Sequence, residues 1–143
     1  MTNLQNRPLW IDHAILIGIV YAVIGVFFAV PSTHVQAWRY AAWIASAIVY
    51  ATHICYEYFR QRNSAKSTAL HVATAVAIGG LALAFGALFH SLLAPPNYSR
   101  WRFGLALMLW PILTGLPAFI VALVITVLLN RFRPSIHNVN SLQ

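Results

Sequence analysis

ALHVATAVAIGGLALAFGALFHSLL, residues 69–93, runs without one Asp, Glu, Lys or Arg. At 1.5 Å per residue, about 20 helical residues cross a ~30 Å hydrocarbon core. In lipid every backbone polar group needs an internal partner, so only helices and closed barrels span. The run has no two-residue alternation, so it reads as a helix and not as a barrel strand. Similar apolar runs occupy 9–30, 38–59 and 103–130. The first stops at Pro31, and the third ends before Pro95 and Pro96. The expected fold is an all-α integral membrane protein, with four transmembrane helices in a compact bundle forming one domain over residues 1–143.

Composition points the same way. The chain is 60% hydrophobic and 8% charged, where a soluble domain carries roughly 25% charged residues. No segment between the runs is long enough for a core of its own. The net charge of +7 does not indicate nucleic acid, because the basic residues sit at span ends, where topology requires them. A single cysteine, Cys55, rules out an internal disulfide. No phosphate-binding, dinucleotide, nucleophile-elbow or zinc-protease motif is present. The first run is longer than a signal-peptide core and lacks a small-residue cleavage site, so it is expected to be retained.

The cations assign the two sides. Arg7, Arg60, Arg62, Lys66, Arg131 and Arg133 fall on one side, and Arg39, Arg100 and Arg102 on the other. The positive-inside rule then places both termini in the cytoplasm. Trp10, Trp38, Trp101 and Tyr98 lie near span ends, as interfacial aromatics do. Short loops and a compact chain suggest a bacterial inner membrane. Span two opens with WRY and leads to RQR, and span four opens with WRF and leads to RFR. Duplication of a helical hairpin would produce this, and so would the shared demand of span ends for Trp and Arg.

Helix contacts in lipid depend on small residues. Span one offers Ala14, Gly18, Ala22, Gly25 and Ala29, and span three offers Ala73, Ala77, Gly80, Ala84 and Ala87. Regular three- and four-residue spacing makes each a packing seam. In span four, Pro111 and Pro117 flank Gly115. Each proline removes a backbone donor, so a kink or loosened turn is expected there.

The acidic residues number only two, Asp12 and Glu57. Glu57 follows His53 by four positions, on a stripe with Ala42, Ser46 and Val49 that spans roughly 60° at 100° per residue. This face should point into the bundle. Asp12, His13 and His71 reach the same cytoplasmic-side layer, so Asp12, His13, His53, Glu57 and His71 are the candidate polar site. Intramembrane ionisable groups are functional candidates because burying them costs free energy. The plainest reading is a structural network in which Glu57 satisfies His53 and pairs with Arg60 at the span end, while Asp12 sits well at a helix N-terminus.

Three sharper readings compete with it. A His–Glu pair in a low dielectric suits a proton relay or coupled carrier. Haem between His53 and His71 is disfavoured, since His53 lies about 6 Å deeper, and a His34–His90 pair is worse. A metal among His13, His53, Glu57 and His71 has the right residue types but nothing to fix its geometry. No cofactor is therefore predicted. The chain resembles small multidrug exporters in length and span number only, and its one suitable carboxylate, Glu57, lies near a span end. The expected function is non-catalytic: a helix-packing or accessory subunit in the lipid bilayer, homo-oligomeric or joined to another membrane subunit. A small proton-coupled transporter is the alternative, and a haem- or metal-binding membrane subunit is the second.

Overall fold

The computed structural model describes residues 9–29, 35–93 and 100–132. Every element among them is helical: α1 Leu9–Ala29, α2 Val35–Cys55, a π-helical turn Tyr56–Arg60, α3 Ala65–Leu93 and α4 Arg100–Arg131. Three stretches are long and apolar enough to cross a membrane: Trp10–Phe28, Ala65–His90 and Gly104–Arg131. The fourth helix, α2, is not among them. It carries Gln36, Arg39, Ser46 and His53, and its Trp and Tyr side chains favour the membrane interface over the hydrocarbon. The expected stops at Pro31 and Pro95–Pro96, the belt residue Tyr98, the topology cations Arg7 and Arg133, and His34 lie outside the described residues.

α3 is the central helix, packed most extensively on α4 and next on α1. Glycines permit this. A Cβ on Gly79 would lie 2.6 Å from Tyr21 Cβ and 3.1 Å from the Gly18 carbonyl oxygen. A Cβ on Gly18 would meet Ile78 at 2.6 Å, and one on Gly25 would meet Leu83 at 2.7 Å. On the α4 side, a Cβ on Gly80 would sit 2.6 Å from Thr114 Oγ1, and Gly115 faces Ala77 and the Ala73 carbonyl. Members of the two expected seams thus meet different helices, while Ala87 is exposed. Gly18 and Gly25 face α3 at Ile78 and Leu83, whereas Ala73, Ala77 and Gly80 receive α4. Gly79, one residue off the expected seam, faces α1, because neighbouring helical residues point about 100° apart. Ala84 is buried, and Ala22 is half-buried.

α2 packs chiefly on α1. Tyr50 ties it to α4 by donating to the Ala118 carbonyl at 2.5 Å, and Tyr58 does so by donating to Asn130 Oδ1 at 2.7 Å. A small apolar core of Ile54, Ala69, Val72 and Ala122 lies beneath these bonds. α4 stays a single α-helix with Pro111 and Pro117 inside it. The loosened turn expected there does not interrupt the helix. Thr114 donates to the Trp110 carbonyl at 2.9 Å in that stretch. Irregular backbone occurs instead at the end of α2.

Candidate functional site

That irregularity positions the site. The last turn of α2 widens to a π-turn over Tyr56–Arg60, closed by the Gln61 N–H donating to the Tyr56 carbonyl at 3.2 Å. The wider turn carries an additional residue, so Glu57 and Tyr58 are both buried alongside His53 and Ile54. Arg62 then takes a left-handed conformation, φ 53°, and turns the chain back. The Asn63 N–H reaches the Glu57 carbonyl at 3.4 Å. Ser64 caps α3, its Oγ accepting from the Ser67 N–H at 3.3 Å.

The Glu57 carboxylate is the centre of this arrangement, with its side chain 3% exposed. Asn63 Nδ2 donates to Oε2 at 2.5 Å, and His71 Nδ1 lies 2.9 Å from the same oxygen. His53 Nε2 lies 3.7 Å from Oε1, beyond direct hydrogen-bond length. The Ser67 hydroxyl is 3.4 Å from His71 Nε2. A neutral His71 with its proton on Nδ1 satisfies both contacts: Nδ1–H donates to Glu57, and Nε2 accepts from Ser67. Trp10 lies flat on His71, with ring centroids 4.5 Å apart and planes 6° from parallel. A buried carboxylate costs several kcal/mol to desolvate, and these donors offset that cost.

Of the expected layer, the structure therefore joins His53, Glu57 and His71. Asp12 is exposed in the first turn of α1 and stands apart. His13 stacks on Tyr56, with centroids 5.9 Å apart, and lines a cavity together with His53. Glu57 addresses the histidines and Asn63 in place of Arg60, which is exposed. Asn63 and Trp10 belong to the site and were not anticipated in it. The only sequence cues were an Asn closing the RQRN stretch and a Trp three residues before His13.

The carboxylate stands between His53 Nε2 and His71 Nδ1. Among the described residues, no three His, Cys, Asp or Glu side chains are arranged to hold a metal ion. Two of the cavities among the described residues adjoin the bundle's interior. One, about 410 Å³, lies between α1 and α2 and is lined by His13 and His53 at its polar end, with Leu16, Ile17, Ile48 and Val49 beyond. The other, about 330 Å³, touches all four helices and includes Tyr21, Tyr50 and Trp110. Nδ1 of His53 and the Tyr21 hydroxyl are buried without a hydrogen-bond partner among the described residues. No family model, curated protein or solved structure matches the chain, so its chemistry is read from its own geometry.

Proposed function

We propose that this chain is a non-enzymatic four-span protein of a bacterial inner membrane, with both termini cytoplasmic. In this reading it acts through helix–helix association, as a homo-oligomer or as an accessory subunit of a larger membrane protein. The observation that carries it is the condition of α2. This helix is the least suited of the four to lipid, yet one whole face is exposed. Tyr40, Ile44, Ala51 and Cys55 are exposed along it and fall within roughly 60° of one another at 100° per residue. The small Ala51 at the middle of that face permits close approach by another helix. A partner covering α2 would take its less apolar surface out of the bilayer. The Glu57 cluster fits as a clasp: it holds the end of α2 and the starts of α3 and α1 in register, which keeps the α2 face rigid. Native mass spectrometry of gently extracted protein tests this. A multiple of the 15.9 kDa chain, or a stoichiometric foreign subunit, is the expected result. A bare monomer at all protein concentrations overturns it.

A second reading is favoured by the placement of one carboxylate between two histidines. Such a group can take up and release a proton inside the membrane, as a small proton-coupled carrier requires. Proton-coupled flux in proteoliposomes that is insensitive to His53→Ala and Glu57→Gln would remove this reading.

A further inference from the structure

We infer that the groove between α1 and α2 holds one anionic phospholipid, with its phosphate at the Arg60 end and one acyl chain laid along the groove. The groove, about 410 Å³, runs from Ile48 to Tyr56 along α2 and faces Leu16 and Ile17 of α1. Residue steps of about 1.5 Å make it about 12 Å long, most of the ~15 Å depth of one leaflet of hydrocarbon. Its character changes along that length as a lipid requires. Leu16, Ile17, Ile48 and Val49 form the apolar end, and His13, Thr52 and Tyr56 form the polar end. The polar end is also the outer one. Trp10, one turn before His13, is an interfacial side chain, and beyond Tyr56 the chain continues into the exposed residues Arg60, Gln61 and Arg62. A molecule seated here has its polar part at the membrane surface and its apolar part pointing inward, the orientation of a lipid in that leaflet.

The charge of the headgroup follows from that outer end. Arg60 closes the π-turn that Tyr56 opens. In so wide a turn residues four apart stand nearly one above the other, which sets Arg60 over the mouth of the groove. Arg60 is exposed, and among the described residues no carboxylate pairs with it. Gln61 Nε2 donates to the Tyr56 hydroxyl at 3.2 Å, which holds its second N–H at the same mouth. Both groups suit the anionic oxygens of a phosphodiester. Asp12, next to His13, points about 100° away on α1, and Glu57 is engaged by His71 and Asn63. Leu16 is 61% exposed, so the chain enters from the α1 side. The α2 face of Tyr40, Ile44, Ala51 and Cys55 lies on the other flank of Ile48. A partner on that face and a lipid in the groove can coexist, and the lipid site does not depend on the partner.

The test uses the full chain in detergent micelles, titrated with dioleoylphosphatidylglycerol and separately with dioleoylphosphatidylcholine, which has the same chains and no net charge. Native mass spectra read the occupancy of the first bound lipid. The expected result is one saturable phosphatidylglycerol per chain, bound at least about fivefold tighter than phosphatidylcholine, the value of one cation beside an anionic headgroup. Arg60→Gln should weaken phosphatidylglycerol about fivefold and leave phosphatidylcholine unchanged. Arg131→Gln should change neither. Arg131 lies at the same membrane level, where Tyr58 meets Asn130, but α4 does not line the groove. Leu16→Trp and Thr52→Trp should each obstruct the groove and remove the first lipid. Both positions are exposed, and either variant suffices if its thermal unfolding remains cooperative. Adducts that grow with lipid without saturating, as an annular shell gives, overturn the proposal. So do equal effects of Arg60→Gln and Arg131→Gln, which mean a diffuse basic surface, and a first lipid that survives both obstructing variants. Displacement by an equal concentration of glycerophosphoglycerol, the headgroup without chains, also overturns it, since the groove would then hold no chain.

Discussion

Glu57 has three polar side chains within reach and almost no solvent. Removing it strands them. Glu57→Ala is expected to lower unfolding stability by about 3 kcal/mol, because His71 and Asn63 lose their acceptor together. Asn63→Ala should cost about 1 kcal/mol, the value of one hydrogen bond. Thermal melts followed by circular dichroism would reveal either, and unchanged melting in both would mean the cluster holds nothing together. Arg62 gives a prediction of opposite sign. Its φ of 53° is costly for a side chain with a Cβ and costs glycine little. Arg62→Gly should therefore raise stability by about 1 kcal/mol in the same melt. The His53–Glu57 pairing was legible because four residues on one helix face fix adjacency. His71 was placed in the same layer but not against Glu57, and Asn63 and Trp10 were not anticipated, because these contacts depend on a left-handed residue and on the packing of α1 against α3. Neither leaves a periodic trace in the chain.

Between helices, the glycines separate into those that matter and those that do not. Gly79→Ala places its methyl against Tyr21 and the Gly18 carbonyl, and backbone cannot yield easily. A loss of about 1–3 kcal/mol is expected, as for overpacking. Gly86 would meet nothing within 4 Å, so Gly86→Ala should be neutral or stabilise by up to about 1 kcal/mol through helix propensity. Paired melts of the two variants test the assignment, and equal effects would contradict the contact pattern. The apolar runs made four helices readable, with ends displaced by only a few residues. Which seam met which helix was not readable, since spacing marks a face but not its partner. The π-turn was hidden for a related reason. Nothing in YEYFR distinguishes a widened turn from an ordinary one until Glu57 and Tyr58 must both turn inward.

Across the molecule, the unmatched element is α2, half-covered and the least apolar. If its exposed face meets a second copy about a two-fold axis along the membrane normal, identical residues approach at equal depth. Cys55, the sole cysteine and exposed on that face, would then cross-link to its counterpart. Mild oxidation of native membranes should yield a band at twice 15.9 kDa that Tyr40→Arg weakens. Persistent monomer would point to a different subunit as the partner. A reporter fused after Gln143 should be active in the cytoplasm, and external activity alone would invert the topology. The contacts of Glu57 also imply an order of events as the chain is made. Its partners His53, Asn63 and His71, and Trp10 above them, all precede residue 72, whereas Thr114 and Asn130, which meet Gly80 and Tyr58, arrive with α4. The chain up to α3 already carries every side chain that shelters the buried carboxylate. α4, made after them, docks on a platform whose costliest buried group already has its hydrogen-bond partners.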